Sequence, residues 1–248
     1  MKEKEALKIF EETKTIITGS HIVYTSGRHG SAYVNKDAVY PYTQKISELC
    51  KAIAEHFYLK QDVEVVAGPA VGGVILSQWV AHHYHPFAYQ PQIMAVFAEE
   101  EKIRIAEAKE ENLTIKVFDG ERLVSETTLE KGQKLQVHTG RLVFARGYDK
   151  LIPGKKVLVV EDILTTGGSA KKVVEAVRSC GGEVVGLGVL CNRDNVKAED
   201  VGDVPELFAL TNVQMESWPE KECPLCVEGV SINTEVGKGR EYLDKKIK

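Results

Sequence analysis

The segment at residues 157–169 constrains the fold more than any other part of the chain. It reads Val-Leu-Val-Val-Glu-Asp-Ile-Leu-Thr-Thr-Gly-Gly-Ser. Four consecutive large apolar residues, mostly β-branched, are typical of a strand buried on both faces of a parallel sheet. Small residues follow, and then an apolar pattern with helical spacing. The segment therefore predicts a strand–loop–helix unit of an α/β protein.

The loop of this unit has the composition of an anion site. Its side chains are short, and its two glycines allow backbone N–H groups to turn inward. A helix that begins near Ser169 adds the positive end of its dipole. We therefore predict a cradle for the phosphate of a phosphorylated sugar. Its residues are Thr165, Thr166, Gly167, Gly168 and Ser169.

Two adjacent carboxylates, Glu161 and Asp162, stand between the apolar run and the loop. We expect them to leave the core at the carboxyl end of the strand, where ligands of open α/β sheets bind. Carboxylates would repel a phosphate, so their expected partners are sugar hydroxyls, a metal ion or a developing cation. The alternative is an ordinary strand–loop–helix unit capped by Ser169. The glycine pattern is neither a Walker loop nor a dinucleotide fingerprint.

Strand and helix patterns alternate along most of the chain, which predicts a twisted parallel sheet flanked by helices. A glycine-rich stretch at residues 68–73 forms a second strand–loop–helix unit. The predicted helices cover residues 3–13, 43–59, 74–83 and 169–180. The predicted strands include residues 63–67, 93–98, 157–160 and 184–190.

Residues 99–146 break this alternation. The stretch is highly charged, and an Asp119-Gly120 turn between two apolar runs predicts a β-hairpin. We predict a single domain over residues 1–248, with residues 99–146 as a mobile flap inserted within it. The alternative is an extra hairpin without a functional role.

Charge and hydropathy exclude some functional classes. The formal net charge is −4, which argues against nucleic-acid binding. No apolar stretch reaches the roughly 18 residues that a membrane span needs. The expected location is the cytoplasm, with no membrane partner.

The five cysteines do not form a secreted disulfide framework. Cys50, Cys180 and Cys191 lie in helix or strand patterns and are expected to be core thiols. Cys223 and Cys226 form a CxxC pair with no second ligand pair nearby in the sequence. Structural zinc, a disulfide and free thiols remain open for this pair.

The segment at residues 157–169 resembles the ribose-phosphate loop of type I phosphoribosyltransferases: a hydrophobic strand, two acids, two residues and then Thr-Thr-Gly-Gly-Ser. The resemblance implies that family's fold, with a small hood from the chain termini and a β-hairpin flap. It implies transfer of ribose 5-phosphate from phosphoribosyl pyrophosphate to a nitrogen base. It also implies Mg²⁺ as cofactor, held mainly by substrate rather than by protein ligands, and a homodimer.

Three further stretches resemble the orotate branch of the family. Residues 26–28 (Ser-Gly-Arg) with Tyr33 resemble an element that frames the base pocket, which assigns Arg28 and Tyr33 to base binding. Arg193 corresponds to an arginine that faces the base, and a planar guanidinium can hold the orotate carboxylate in a bidentate pair. The pyrophosphate loop is carried by Ala70, Val71, Gly72 and Gly73.

The chain departs from the orotate pattern at two places. Thr25 stands where these enzymes place a lysine, and their compact catalytic loop is replaced by the long insertion. Lys102 and Arg104 are the nearest cations there, and Arg146 is a further one. The predicted catalytic residues are Asp162, Glu161, Lys102 and Arg146.

Three hypotheses compete on this basis. The first is an orotate phosphoribosyltransferase that makes orotidine 5'-phosphate and pyrophosphate for pyrimidine synthesis. The second is a phosphoribosyltransferase for a purine or another base, which would gain little from Arg193. The third is a non-catalytic regulator that senses phosphoribosyl pyrophosphate.

Overall fold

The computed structural model describes residues 1–58, 60, 62–84, 92–109, 112–119 and 121–246. These residues form two compact units, one of residues 1–98 and 144–248 and the other of residues 99–143. None of the helices in the described part of the chain is long and apolar enough to cross a membrane.

The elements alternate as the sequence predicts outside the insertion. The helices are α1 Glu3–Glu12, α2 Thr43–Tyr58, α3 Gly72–His83, α4 Gly168–Ser179, α5 Pro224–Val227 and α6 Gly239–Lys246. The strands are β1 Ile16–Val23, β2 His29–Val34, β3 Val65–Pro69, β4 Met94–Glu107, β5 Leu113–Asp119, β6 Arg122–Leu129, β7 Lys134–Val143, β8 Lys156–Leu164, β9 Glu183–Arg193, β10 Leu207–Val213 and β11 Ser217–Trp218.

The first unit is built on a parallel sheet in the order β10-β9-β8-β3-β4. Side chains alternate between its two faces. On β8, Leu158 and Val160 belong to the core formed with α1, α2 and α3. Val157 and Val159 are also fully buried and point to the opposite face, where α4 contacts the strand. The predicted parallel sheet with helices on both faces is confirmed.

The termini of the chain meet in a smaller antiparallel sheet of order β1-β2-β11, which we call the hood sheet. Trp218 of β11 pairs with His29 of β2. A parallel bridge joins His21 to Ile232 in the C-terminal segment. The hood sheet therefore connects residues that are about 200 positions apart in the sequence.

The second unit is entirely β-structure within its described residues. The distal part of β4 pairs antiparallel with β7, from Glu99↔Val143 to Glu107↔Lys134. Strands β5 and β6 form a hairpin, as the sequence predicts. Gly120, at the predicted turn, lies outside the described residues. The proposed mobility of this insertion stays a prediction.

Several predicted boundaries need correction. β3 covers Val65–Pro69 rather than residues 63–67, and α3 begins at Gly72 rather than at residue 74. Leu59, the last residue of the predicted second helix, lies outside the described residues. Cys180 is only partly buried because it follows the end of α4, whereas Cys50 and Cys191 are core thiols as expected.

Candidate active site

The predicted phosphate cradle forms at the carboxyl end of β8. A cavity of about 110 Å³ is lined by the loop, including Thr165, Thr166 and Ser169, and by Glu161. Gly167 takes a left-handed φ of +74° just before α4, so that the chain can turn sharply into the helix. A Cβ there would collide with Val201, which makes this glycine a requirement of the fold itself. The helix begins at Gly168, and its first N–H groups lack acceptors within the helix.

The two carboxylates do not leave the core as expected. β8 continues through both of them to Leu164, and Glu161 and Asp162 are 5% and 2% exposed. Buried charges persist where they are paired and hydrogen-bonded. The Asp162 N–H donates to Glu161 Oε1 at 3.0 Å, and the Ile163 N–H donates to Asp162 Oδ1 at 2.8 Å. The end of the strand predicted from the apolar run is therefore wrong, because β8 stays paired with β9 as far as Leu164.

Asp162 also has two partners from the N-terminal part of the chain. Lys36 Nζ lies 3.2 Å from Asp162 Oδ2, and the Tyr40 hydroxyl donates to the same oxygen at 3.0 Å. The side chain of Lys36 is 47% exposed, so one end of this ion pair is open to solvent. Partial burial lowers the pKa of Lys36, but the charge and hydrogen bond of Asp162 outweigh this effect and raise it. Lys36 remains a cation beside the acid pair.

Glu161 and Asp162 are two adjacent buried carboxyl groups, which disfavours ionisation of both at once. Burial, and then the neighbouring Asp162 charge, raise the pKa of Glu161 above its ordinary range. The pKa of the Tyr40 phenol is raised by burial and by the same carboxylates, so its hydroxyl stays a donor. Perturbed acids of this kind cluster at functional sites.

The predicted pyrophosphate loop lies against the same acid. It joins β3 to α3, contains a cis peptide bond between Ala70 and Val71, and leaves Val71 exposed. Gly72 and Gly73 are buried and begin α3. A Cβ on Gly72 would collide with the carboxylate of Asp162. The glycine therefore permits the loop and the acid to meet, which places the first N–H groups of α3 beside Asp162.

A larger cleft of about 720 Å³ adjoins the cradle and shares Ile163 and Thr165 with it. Asp162 and Lys36 line it from one side. The hood sheet and the segments that follow it supply the rest of the wall. These residues include Tyr24, Thr25, Ser26, Tyr33, Ser217, Gly237 and Lys238. The C-terminal segment thus reaches the cleft through Lys238.

Arg193 ends β9 and lines this cleft. Its side chain is 21% exposed, its Nε lies 3.4 Å from Asp194 Oδ2, and its guanidinium carbon lies 5.3 Å from the centre of the Tyr24 ring. The guanidinium is thus held between a carboxylate and an aromatic face. Such a partly buried cation suits an anionic group on a planar ligand.

The two predicted base-binding residues of the hood sheet have different positions. Tyr33 lines the cleft, together with Thr25 and Ser26. Arg28 is exposed, and it is not among the residues that line the cleft. Its guanidinium instead donates to the hydroxyl and the carbonyl oxygen of Ser217 in β11. In this structure Arg28 holds a cleft residue in place.

The remaining predicted catalytic cations are also located. Lys102 is an exposed residue of the second unit, in register with His138 of β7. Arg146 belongs to the first unit, where its guanidinium lies 5.8 Å from the centre of the Phe97 ring. The side chain of Arg104 lies outside the described residues. The catalytic roles of Lys102 and Arg146 stay predictions.

Sequence reasoning missed Lys36 and Tyr40. Both follow β2 within a polar stretch that has no recognisable motif, and only the folded chain brings them to Asp162. It also missed the second ligand pair for the CxxC motif. His21 and His29 of the hood sheet lie against Cys223 and Cys226.

The chain has clear relatives. The family model for the phosphoribosyl transferase domain matches residues 37–224. An orotate phosphoribosyltransferase from Desulforamulus reducens is 34% identical over 93% of this chain and 94% of that protein. Another, from Caldanaerobacter subterraneus subsp. tengcongensis, is 33% identical over 94% of this chain and 96% of that protein.

Solved structures share the fold at lower identity. The orotate phosphoribosyltransferase of Mycobacterium tuberculosis, in complex with Fe(III) dicitrate, superposes with a TM-score of 0.53. The match has 20% identity and covers 84% of this chain and 97% of that one. An adenine phosphoribosyltransferase from Thermoanaerobacter pseudethanolicus gives 0.50 at 17% identity, over 83% and 99% of the two chains. The fold is therefore common to enzymes named for different bases. From the family match and the two sequence relatives, the chain belongs to the phosphoribosyl transferase family.

Proposed function

We propose that the chain is an orotate phosphoribosyltransferase, which transfers ribose 5-phosphate from phosphoribosyl pyrophosphate to orotate. The observation that carries this proposal is the single cleft that Asp162, Thr165 and Arg193 line together. A phosphorylated sugar at the cradle would point its reactive carbon toward a held guanidinium. The names of the sequence relatives support the same base.

The sugar pyrophosphate would bind through three groups of this chain. The 5-phosphate fits the small cavity lined by Thr165, Thr166 and Ser169. The ribose hydroxyls lie toward Asp162 and Glu161. The pyrophosphate lies at the loop of Ala70, Val71, Gly72 and Gly73, where the N–H groups that begin α3 donate hydrogen bonds to its anionic oxygens.

Mg²⁺ fits this arrangement as a partner of the substrate. It prefers oxygen ligands, and it usually takes them from substrate phosphates and from water. The Asp162 oxygens already accept hydrogen bonds from the Ile163 N–H and Tyr40, and one of them pairs with Lys36. These residues therefore do not offer an open carboxylate cage, and pyrophosphate and ribose oxygens would supply most ligands. The ion's contribution is to neutralise charge on the departing pyrophosphate.

The chemistry separates charge. The bond between the anomeric carbon and the pyrophosphate oxygen breaks, its electron pair leaves with pyrophosphate, and a ring nitrogen of orotate attacks the opposite face of the sugar. The buried Asp162 stabilises the positive charge that develops on the sugar, and Glu161 beside it holds a ribose hydroxyl. Arg193 holds the orotate carboxylate, and Tyr33 contacts the base from the hood sheet. The attacking nitrogen loses its proton as the new bond forms, and an oxygen of the departing pyrophosphate or solvent accepts it.

Further parts of the proposal concern the whole protein. The insertion closes over bound substrates and excludes water, which would otherwise hydrolyse the activated sugar. Limited proteolysis tests this: the insertion should be cut first in the free protein and be protected by ligands, whereas equal cleavage with and without ligands would contradict closure. A cytoplasmic homodimer, which the family resemblance implies, belongs to the same proposal.

The test of the main proposal is pyrophosphate release with a panel of bases. Orotate should support it far better than uracil, adenine or hypoxanthine. A preference for a purine would replace orotate by another acceptor. Binding of phosphoribosyl pyrophosphate without release in the presence of any base would favour a regulator.

A further inference from the structure

Four side chains with soft or nitrogen ligand atoms meet beside the hood sheet, outside the cleft. They are His21, His29, Cys223 and Cys226, and their ligand atoms all lie within 4.8 Å of one another. His21, His29 and Cys223 are buried, and Cys226 is partly buried. No step of the proposed transfer uses them. Their common position therefore needs a separate explanation.

The separations between these atoms match the edges of a metal tetrahedron. Zinc lies about 2.3 Å from cysteine sulfur and about 2.0–2.1 Å from histidine nitrogen, so tetrahedral geometry places sulfur and nitrogen ligands about 3.5 Å apart. Cys223 Sγ and Cys226 Sγ each lie 3.6 Å from His21 Nε2, and Cys226 Sγ lies 3.3 Å from His29 Nδ1. The two imidazole nitrogens are 2.9 Å apart, slightly closer than the roughly 3.3 Å of a filled site.

The orientation of His21 favours metal binding. Its Nδ1 lies 2.7 Å from the carbonyl oxygen of Val230. A carbonyl can only accept, so Nδ1 carries the proton and the Nε2 lone pair points at the cysteines and His29. A backbone acceptor behind a ligand histidine is the usual support of zinc sites. The contact fixes the tautomer that a metal requires.

Hydrogen bonding alone explains the cluster less well. If His29 donates from Nδ1 to His21 Nε2, His29 Nε2 is left as an acceptor, and this atom is buried without a hydrogen-bond partner. With a metal on Nδ1, Nε2 carries the proton instead, and the imidazole packs edge to face with Tyr242 at 5.1 Å between ring centres. In the absence of a metal, two thiols and two imidazoles would be packed together with few satisfied contacts.

We propose that His21, His29, Cys223 and Cys226 form a tetrahedral structural Zn²⁺ site. Two thiolates and two neutral imidazoles give a neutral complex with zinc, and four protein ligands leave no position open for substrate. The site is therefore closed and structural, and it is distinct from the Mg²⁺ that accompanies the sugar pyrophosphate. It assigns a function to the CxxC motif that neither the proposed transfer nor the similarity to known proteins provides.

The position of the site defines what the metal would hold together. His21 and His29 lie on β1 and β2, whereas Cys223 precedes α5 and Cys226 lies within it. The same two parts of the chain both supply residues that line the cleft, Tyr33 from the first and Ser217 and Lys238 from the second. Zinc would cross-link these two parts, which also meet through the β11–β2 ladder and the bridge between His21 and Ile232. The metal would stabilise the hood sheet, which is small and buries little apolar surface of its own.

Metal content of the full-length protein is the direct test. Protein expressed in zinc-supplemented medium and purified without chelator should contain one zinc per chain by inductively coupled plasma mass spectrometry. Exchange with Co²⁺ should give the visible absorption of a tetrahedral site with thiolate ligands. Cys226→Ser should lose the zinc and the cobalt spectrum, and Cys180→Ser, a cysteine outside the cluster, should keep both.

A conservative variant guards against failure of Cys226→Ser to fold. His29→Cys exchanges one zinc ligand for another and should keep one zinc, with a stronger thiolate-to-cobalt band. Wild-type protein with well below one zinc per chain and no cobalt spectrum would overturn the proposal. So would full zinc content in Cys226→Ser, or a Cys223–Cys226 disulfide in the purified protein. None of these readouts depends on transferase activity, so the result is independent of the proposed function.

Discussion

Lys36 Nζ and Asp162 Oδ2 lie 3.2 Å apart at the junction of the phosphate cradle, the pyrophosphate loop and the base cleft. The carboxylate is 3% exposed, whereas the lysine side chain is 47% exposed. The cation is thus the part of this pair that an incoming anion meets first.

Asp162→Asn should affect turnover more than binding. The negative charge of Asp162 becomes more valuable as the sugar becomes cationic, so its loss removes an interaction that is strongest in the transition state. We expect kcat to fall by roughly a hundredfold or more, on the scale of one lost electrostatic group. Steady-state kinetics with phosphoribosyl pyrophosphate measures this effect. A variant with an unchanged kcat and only a raised KM would contradict the assigned role.

The phosphate cradle can be tested at Gly168. A Cβ at this position meets only the Thr166 hydroxyl at 3.6 Å, and its backbone requires no left-handed φ. Gly168→Val should therefore fold but crowd the cavity that the loop lines. We expect at least a tenfold loss of affinity for phosphoribosyl pyrophosphate by calorimetry. Lys172→Val, on the exposed side of α4, is the control and should bind normally. Unchanged affinity in a folded Gly168→Val protein would place the 5-phosphate elsewhere.

Arg193→Ala tests the base end of the cleft. It removes a charge-assisted contact to the orotate carboxylate, worth about 1.5–3 kcal/mol. The apparent affinity for orotate should fall by roughly ten- to a hundredfold, whereas that for phosphoribosyl pyrophosphate should hardly change. Arg28→Ala is the matched control, because Arg28 bonds to Ser217 and does not line the cleft. A larger effect of Arg28→Ala than of Arg193→Ala on orotate affinity would reverse the two assignments.

The acid pair predicts a pH dependence of stability. Burial and Asp162 raise the pKa of Glu161 in the folded protein above its ordinary value of 4.5. Between pH 4.5 and the folded pKa, Glu161 is ionised in the unfolded chain but still protonated in the folded protein. The free energy of unfolding therefore falls as pH rises through this window. Glu161→Gln has no ionisable group at this position and does not lose stability in this way. Its unfolding midpoint relative to wild type should thus be higher at pH 8 than at pH 5. A pH-independent difference would show that Glu161 is ionised throughout.

The sequence predicts the elements better than it predicts the partners. The alternation of strands and helices, the hairpin and the loop before α4 follow from local periodicity and glycine placement. The end of β8 does not, because the strand stays paired with β9 as far as Leu164, and Asp162 within it finds Tyr40 and Lys36 as partners. The sequence pattern around Asp162 does not indicate partners such as Lys36 and Tyr40, which lie more than 100 positions away in the chain.

The same limit applies to the cysteine pair. Cys223 and Cys226 are recognisable as a ligand pair, but their partners His21 and His29 precede them by about 200 positions. The two halves meet only because β11 pairs with β2 and the C-terminal segment returns to β1. By contrast, the place of Arg193 near the end of β8 follows from parallel pairing of β8 with β9, whereas its role as a base contact rests on the family resemblance and stays a prediction.

Formation of orotidine 5'-phosphate from orotate and phosphoribosyl pyrophosphate, followed by chromatography of the reaction, tests the central claim most directly. The account predicts Mg²⁺-dependent product with the wild-type protein and at least a hundredfold lower kcat with Asp162→Asn. It also predicts product with Arg193→Ala only at raised orotate concentration. Absence of product from folded wild-type protein that binds phosphoribosyl pyrophosphate, or a faster reaction with adenine or hypoxanthine than with orotate, would contradict it.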